Sequence, residues 1–460
     1  MNYLLNPLFV SKVIKSYFVD INRLWILNEK QLRNFQDKQL RNIVRYAYTV
    51  PLYHDKYKKN GIHPSDIHGL NDIEKLPEIS KGDIKKYYPE GILPKVINRE
   101  KFIEVSTSGT TGKSLSIFVD MHDIIVGIFG YIRAIKEFDI NWRKNKLTII
   151  GDFAPHTAES GYINKGLSPR LKLNSFIKNI QWLDTNDDPK KVINKINDFR
   201  PEFIGGYVGM LGHLALLRDQ GYGKDINPRY IASTGTVLDK SLKKYIEDQF
   251  DTKVFEVYGA TETGPIAFEC QKGHYHIMSD LLHLEFLKGG IPVSSGEPGN
   301  LIITKLFGNG TPIIRYNAIN DIVSPLYESC NCDISGGLIK KIYGRDMLSL
   351  IFPGGKVMLP SGISEIFSRV LYQLKTDMLK ETRVIQHDLT HIEIQVVIDK
   401  QADKKGPSAN ELFSTLKKGF REKIGDDVEV SFKEIENVDK SQARIISKVN
   451  RKNIKISEYI

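Results

Sequence analysis

The densest group of residues able to hold a phosphate lies at residues 106–114, with the sequence STSGTTGKS. Hydroxyl groups, two glycines and one lysine fall within this short stretch. Glycine lets backbone N–H groups turn toward an anion, hydroxyls donate further hydrogen bonds, and an ammonium supplies positive charge. The segment therefore predicts a phosphate-binding loop, with a catalytic Lys113 and the binding residues Ser106, Ser108, Gly109, Thr110, Thr111 and Gly112.

Two other interpretations of this loop stay open on the sequence. Residues 112–114 match the end of a P-loop, but Thr107 stands where that motif requires its first glycine. Residues 115–119 also look like a strand, whereas a P-loop leads into a helix. A Ser/Thr/Gly turn without a ligand is the second alternative.

Further motifs give the chain a specific resemblance. The loop, the sequence YGATE at 258–262 and Asp321 together resemble the adenylate-forming superfamily, in particular its phenylacetate-CoA ligase and capsule-biosynthesis branch. Other stretches similar to that branch are residues 40–57, 71–86 and 340–345. The likeness covers nearly the whole chain, and it implies activation of a carboxylic acid as its acyl-adenylate with ATP and Mg²⁺.

The resemblance assigns roles to the residues after the loop. It implies that Tyr258 stacks on adenine, that Gly259 permits close backbone approach, and that Thr261 contacts the α-phosphate. Glu262 would hold magnesium, a task that suits a carboxylate. Asp321 would accept both ribose hydroxyls.

Two further segments take their expected roles from the resemblance alone. Gly235 and Thr236 would present backbone to the adenine and the substrate, and Arg345 would lie at the hinge of a small rotating domain. Members of the superfamily usually carry a charged residue two positions after that arginine. Here Met347 takes that place and Asp346 stands one position early, so the pivot residue is left open.

The largest departure from the family pattern is near the C-terminus. Relatives place there a lysine that bridges the carboxylate and the α-phosphate, and Gln442 occupies its position in this chain. Lys440 and Arg444 are possible catalytic substitutes. Either a neighbour replaces the lysine, or the enzyme is slow, or adenylation is not its main half-reaction. A catalytically degenerate nucleotide-binding protein is the alternative function.

All three cysteines fall in two clusters, which predicts a metal site. Cys270, Cys330 and Cys332 together with His276 make a Cys3His set, able to form a closed tetrahedral zinc site. His274 is an alternate ligand, and three free buried thiols are the other interpretation. Such a zinc would be structural and would not touch the substrate.

The elements that must position these residues follow from hydrophobic periodicity. Apolar residues at helical spacing predict a leading helix that ends near residues 50–51. Beyond about residue 100, β-rich runs alternate with helical stretches, which indicates an α/β fold. The β-rich runs lie at 146–153, 202–208, 229–235 and 253–259, and the helical stretches at 189–199 and 239–250.

The pattern changes twice toward the C-terminus. Short strands and turns at 281–325 (LHLEFL, GNLIITKL, TPIIRYN, DIVSPL) predict a β-rich subdomain, and strand, strand, helix and strand in the tail predict an α+β unit. We therefore predict a large, multi-subdomain N-terminal adenylation body at 1–343 that binds ATP and the carboxylate. A small α+β domain at 344–460, mobile by the resemblance, would follow it.

Composition and charge indicate which classes of partner the chain could bind. Lys plus Arg number 65 and Asp plus Glu 55, which gives a net charge of +10. This excess suits anionic ligands, and a solvated lysine-rich surface is the other interpretation. No nucleic-acid-binding signature appears. Charged residues interrupt the apolar N-terminus, which predicts an amphipathic helix rather than a transmembrane segment. Packing against the body or weak membrane association would be its use. We expect a cytoplasmic protein, and the relatives make a homodimer plausible.

The acceptor of the acyl group is left open by the residues. The resemblance implies coenzyme A as the simplest acceptor thiol. The alternative is an acyl or aminoacyl ligase that modifies the amine of a surface-polysaccharide sugar precursor.

Overall fold

The structure is a computed structural model that describes residues 7–107, 115–155, 157–161, 178–376, 378–399, 407–439 and 442–450. The tip of the predicted phosphate loop, residues 108–114, lies outside these residues, and so does Lys440. In the described part of the chain, no helix has the length and apolar character needed to cross a membrane.

Helices and strands alternate along most of the described chain. The helices are α1 (Pro7–Lys15), α2 (Arg23–Ile26), α3 (Glu29–Ala47), α4 (Pro51–Lys59), α5 (Lys81–Tyr87), α6 (Met121–Lys136), α7 (Ala158–Ser160), α8 (Pro189–Phe199), α9 (Val208–Asp219), α10 (Lys240–Phe250), α11 (Pro360–Gln373) and α12 (Ala409–Ile424). The strands of the first half are β1 (Ile103–Ser106), β2 (Ser116–Val119), β3 (Leu147–Gly151), β4 (Ile180–Asp184), β5 (Phe203–Tyr207), β6 (Tyr230–Thr234), β7 (Lys253–Ala260), β8 (Gly264–Glu269) and β9 (Tyr275–Ile277). Those of the second half are β10 (Leu282–Lys288), β11 (Ile291–Pro292), β12 (Gly299–Lys305), β13 (Asp321–Leu326), β14 (Leu338–Arg345), β15 (Leu350–Ile351), β16 (Val357–Met358), β17 (Leu379–Gln386), β18 (His391–Ile398), β19 (Glu429–Glu434) and β20 (Ile445–Ser447).

Twelve of the described strands form one continuous sheet in the order β11-β10-β12-β13-β14-β9-β8-β7-β6-β5-β3-β4. The strands β4, β3, β5, β6 and the first half of β7 run parallel, because helices α8, α9 and α10 carry the chain back between successive strands. From β8 onward the pairing is antiparallel. The predicted α/β fold class is confirmed, and the sheet carries an antiparallel, β-rich half.

One segment that was predicted to be a strand is irregular in the structure. The stretch TPIIRYN, residues 311–317, is mostly irregular and makes isolated bridges through Tyr316 to Ile303 and Ile79. Arg315 has a φ of 44°, a left-handed conformation that interrupts a β ladder. Its guanidinium lies 2.8 Å from the Glu285 carboxylate, so a buried ion pair holds the bend.

Residues after β14 pack around a hydrophobic core of their own. This core includes buried side chains from Leu350 to Val430. Strands β17 to β20 form a four-stranded sheet in the order β19-β18-β17-β20, and both α11 and α12 contribute buried residues to the core. The boundary at residues 343–344 and the mobility of this unit stay predictions.

The C-terminal unit contacts the body through α11 and the residues after it. The ring of Tyr372 stacks on Tyr245 of α10, with centroids 4.3 Å apart. Lys375 forms an ion pair with Asp219 at the end of α9, at 2.9 Å.

The N-terminal segment is tied to the body by buried ion pairs. Arg133 on α6 donates to both carboxylate oxygens of Asp280, at 2.7 and 2.8 Å, and these side chains are 2% and 0% exposed. Arg23 in α2 donates to the same carboxylate at 3.1 Å. The Arg133 guanidinium also donates to the backbone oxygens of Asp20 and Ile21.

We predict that Asp280→Asn lowers the free energy of unfolding by about 3–5 kcal/mol, because it leaves the buried Arg133 guanidinium without a carboxylate. Urea or thermal unfolding monitored by circular dichroism measures the change. The matched control is Glu422→Gln, which removes the exposed Arg369–Glu422 pair at 2.8 Å and should cost less than about 1 kcal/mol. Equal losses in the two variants would contradict the prediction.

Candidate active site

Strand β7 carries the YGATE motif to the edge of the sheet. Its first half pairs in parallel with β6, up to Ser233 opposite Glu256. Its second half pairs antiparallel with β8, with Tyr258 opposite Ala267. The motif therefore begins where the parallel pairing stops, at the carboxyl ends of the strands. Open α/β sheets bind their ligands at that edge.

A cavity of about 3090 Å³ lies at this edge and extends to the C-terminal unit. Typical ligand pockets have roughly 300–1,000 Å³, so this space accommodates more than one substrate. Predicted site residues that line it are Gly235, Thr236, Tyr258, Gly259, Thr261, Glu262, Asp321, Arg345 and Arg444. Thr107 and Gln442 line it too. Residues distant in sequence therefore share one cavity.

The hydroxyl-rich loop connects two paired strands. β1 and β2 pair antiparallel with Ser106 opposite Ser116, and the hydroxyls of these two residues are 2.7 Å apart. Thr107 closes the base, since its N–H donates to the Leu115 carbonyl and its hydroxyl accepts from the Leu115 N–H. Ser106 is not among the cavity-lining residues that the structure describes. A strand follows the loop, so the P-loop interpretation is wrong.

Tyr258 and Asp321 are joined directly. The Tyr258 hydroxyl donates to the Asp321 carboxylate, and burial raises the pKa of that carboxyl while the Tyr258 hydrogen bond and the Arg345 charge lower it. Asp321 opens β13, directly opposite Arg345 at the end of β14. Sheet pairing thus places the predicted ribose-binding and hinge residues side by side.

Glu262 lies in the turn after β7 among groups of both signs. Burial raises the pKa of its carboxyl, against the lowering effect of the Arg345 and Lys81 charges. The Tyr316 hydroxyl lies 3.4 Å from its Oε1. Among the residues that the structure describes, Glu262 has no ion-pair partner within 4 Å. This carboxylate is therefore able to serve as an oxygen ligand for a divalent cation.

Lys81 is a cavity residue to which sequence reasoning assigned no role. Burial, with the charges of Lys85 and Arg345, lowers the pKa of its ammonium, whereas Glu262 raises it. Its placement depends on tertiary structure, because the Ile79 N–H donates to the Arg315 carbonyl at 2.9 Å and docks the start of α5 beside Tyr316. The only available sequence signal was its position in the family-like stretch at residues 71–86.

Position 235, directly after β6, requires a glycine for a steric reason. Its φ is 88°, and a Cβ built there would approach the Tyr207 ring to 2.2 Å. Both facts exclude a larger residue without rearrangement. Tyr207 and Gly235 therefore form one continuous part of the cavity wall.

Two C-terminal residues singled out by the sequence, Gln442 and Arg444, line the same cavity. Gln442 donates from its amide to Asp439 at 2.8 Å. The Arg444 carbonyl accepts from the Val384 N–H at 2.9 Å, which fixes the backbone beside β17.

The predicted zinc ligands also come together. The ligand atoms of Cys270, His276, Cys330 and Cys332 all lie within 4.8 Å of one another. The Cys270 and Cys330 sulfurs are 3.9 Å apart, and Cys332 Sγ is 3.2 Å from His276 Nε2. Tetrahedral zinc ligands are separated by roughly 3.3–3.8 Å, so the set fits such an ion. His274 Nδ1 is 3.2 Å from Cys330 Sγ.

Comparisons with known proteins agree with this geometry. No family model matches the chain. Protein CapK of Staphylococcus aureus is 24% identical over 430 residues, covering 92% of this chain and 90% of CapK. A phenylacetate-coenzyme A ligase of Thermus thermophilus is 26% identical over 342 residues, which are 72% of this chain and 74% of that ligase.

Solved structures show the same fold at lower identity. 2-Hydroxyisobutyryl-CoA ligase in its postadenylation state with 2-HIB-AMP gives a TM-score of 0.70 at 16% identity, covering 91% of this chain and 90% of the ligase. The same ligase in its thioesterification state gives 0.60 at 17% identity, covering 93% and 92%. The overall arrangement here is closer to the first. The sequence relatives and the shared fold together support the predicted resemblance of the chain to the adenylate-forming superfamily, in the branch of CapK and the phenylacetate-coenzyme A ligases.

Proposed function

We propose that this protein activates a carboxylic acid with ATP as the acyl-adenylate and then transfers the acyl group, most simply to coenzyme A. The observation that carries the proposal is the convergence of Tyr258, Glu262 and Asp321 in one cavity with the base of the hydroxyl-rich hairpin. The similarity of the chain to phenylacetate-coenzyme A ligases supports the same reaction.

In the first step, a carboxylate oxygen of the acid attacks the α-phosphorus of ATP. The new acyl–oxygen–phosphorus bond forms as the bond to the β-phosphate oxygen breaks, and pyrophosphate leaves. Lys81 and Arg345 supply positive charge in the cavity, and Glu262 would hold magnesium. The metal, when bound, neutralises charge that develops on the phosphates.

In the second step, the thiol sulfur of coenzyme A attacks the acyl carbon. The thioester bond forms, the acyl–oxygen bond to AMP breaks, and the thiol proton is released. An amine acceptor would follow the same course and give an amide.

We expect the purified protein to exchange labelled pyrophosphate into ATP when the right acid is present and coenzyme A is absent. Reversal of the first step accounts for this exchange. A panel of aryl, fatty, hydroxy and amino acids identifies the donor, and product analysis with coenzyme A or a sugar amine identifies the acceptor. ATP binding without exchange for any acid would instead favour a degenerate nucleotide-binding protein.

Cation substitutions test the assignment at the phosphates. We predict that Lys81→Met and Lys113→Met each lower the exchange rate about 100-fold, as expected for loss of a preorganised charge in the transition state. Gln442→Ala should leave the rate within about twofold, because a neutral amide supplies no such charge. A large loss of exchange rate in Lys440→Ala or Arg444→Ala would identify the residue that replaces the C-terminal lysine of the relatives.

The control for the Lys81 variant is Lys86→Met, on the same helix, whose ammonium lies over the Tyr87 ring rather than in the cavity. An unchanged rate in Lys81→Met, with ATP affinity also unchanged, would remove Lys81 from the proposed machinery.

We also propose that Cys270, His276, Cys330 and Cys332 hold a structural zinc ion. His276 is buried, and its Nδ1 has no hydrogen-bond partner in the described structure, so the ring is held by packing with Nε2 toward Cys332. Zinc would join the turn after β8 to the loop between β13 and β14.

We expect one zinc per chain by inductively coupled plasma mass spectrometry after purification without chelator. Cys332→Ala should lose the metal and lower the melting temperature, because metal binding contributes to folding. His274→Ala is the matched control and should keep the metal, since His276 completes the set of four. Wild-type protein without metal, or equal loss of metal in both variants, would contradict the zinc assignment.

A further inference from the structure

One wall of the cavity is acidic, and none of the residues predicted to bind the nucleotide belongs to it. Tyr207 ends β5, and its hydroxyl donates to Glu159 Oε1 at 2.5 Å. Glu159 belongs to the single turn α7 after β3, and Asp152 follows the end of β3. Glu159, Asp152, Tyr207 and Tyr131 of α6 all line the cavity, and we call these four residues the acidic corner.

The acidic corner adjoins the backbone expected to flank the adenylate. The Tyr207 ring occupies the space into which a Cβ at Gly235 would project, at 2.2 Å. A Cβ at Gly259 would lie 3.4 Å from the Tyr131 hydroxyl. The corner therefore lies between Gly235 and Gly259, on the side of β3 and β5 rather than on the side of Asp321.

The carboxylates of the acidic corner have no counter-charge among the residues that the structure describes. Glu159 has no cationic partner within 4 Å in this part of the chain, and its side chain accepts a hydrogen bond from the Tyr207 hydroxyl. Asp152 accepts from the Ala154 N–H and the Asn186 amide, which are neutral donors. Burial raises the pKa of Glu159, and the Asp152 charge raises it further.

Two carboxylates in a partly desolvated wall favour one kind of ligand group. A buried carboxylate without a cation is costly, and an ammonium brought into contact with it offsets that cost. A carboxylic acid without a positive group is an anion, and the acidic corner would repel it with no attractive charge to offset the repulsion. A zwitterion carries its own compensating positive charge, so the corner discriminates between these acids.

We propose that Glu159 binds the ammonium group of the acid substrate, and that the acid activated by this protein is an amino acid. The inference rests on the proposed function, because it names the substrate class of the same cavity. Glu159 acts as a specificity-determining residue, Asp152 adds negative charge behind it, and the Tyr207 hydroxyl orients its carboxylate.

Pyrophosphate exchange with acids of one carbon skeleton tests the proposal. Butanoate, 2-hydroxybutanoate, 2-aminobutanoate and 4-aminobutanoate differ only in the group offered to the corner. We expect at least one amino acid of this set to exceed butanoate and the hydroxy acid at least tenfold in kcat/KM. Glu159→Gln should lower kcat/KM for that amino acid about 100-fold, as for truncation of a buried charge pair, with the KM for ATP unchanged.

Two variants control for a general loss of structure. Glu159→Asp keeps the charge and should retain more of the preference for the amino acid than Glu159→Gln. Asp187→Asn changes a carboxylate at the cavity that already pairs with Lys195 at 3.6 Å, and it should leave the preference unchanged. Melting temperatures of all variants confirm that they fold.

The outcomes separate this inference from the proposed function. Exchange with butanoate or the hydroxy acid at least equal to that with the amino acids, and unaltered ratios in Glu159→Gln, would overturn the inference while the ligase reaction stands. If no acid supports exchange, the binding of the amino acids to the protein is measured by calorimetric titration in the presence of a non-hydrolysable ATP analogue. Binding that is lost in Glu159→Gln supports the ammonium site, and absence of binding to the folded wild type overturns it.

Discussion

The site depends on the two different pairings of β7. Hydrogen bonds to β6 hold the first half of the strand in the parallel sheet, and hydrogen bonds to β8 turn the second half into an antiparallel hairpin. A strand paired in this way has to leave the parallel sheet at its carboxyl edge, so the YGATE residues emerge beside the ends of β5 and β6. Thr261 and Glu262 then occupy the connection between two strands of one sheet. Their positions are fixed by strand pairing on both sides rather than by a free loop.

Charge balance across the cavity follows from this arrangement. On one side, the Arg345 charge counteracts the rise in pKa that burial imposes on the carboxyls of Asp321 and Glu262. The Glu262 charge in turn counteracts the lowering that burial imposes on the pKa of Lys81. On the other side, Glu159 has no cation among the described residues. The same cavity therefore has a mixed-charge half suited to phosphates and a metal, and an acidic half suited to a cationic group.

The cysteine cluster lies on the same set of strands, and none of its four residues lines the cavity. Cys270 follows β8, His276 lies in β9, and the other two cysteines precede β14. Because β14, β9, β8 and β7 are neighbours in the sheet, a metal at this cluster would hold the partner strands of the YGATE hairpin in register. β14 also ends in Arg345, so the same tie would reach the junction with the C-terminal unit.

Local sequence determined much of this protein. Alternating β-rich and helical runs predicted the parallel strands β3, β5, β6 and β7. The family resemblance carried by short motifs predicted that Tyr258, Glu262 and Asp321 share one site. These features are readable because period, propensity and motif are properties of neighbouring residues. The tertiary structure alone decided the rest. The bridge between Ile79 and Tyr316 brought Lys81 near Glu262, and the left-handed Arg315 interrupted a predicted strand. The Tyr207 hydroxyl holds Glu159 at the cavity wall. Each of these depends on contacts between residues far apart in the chain, for which the sequence carries no local signal.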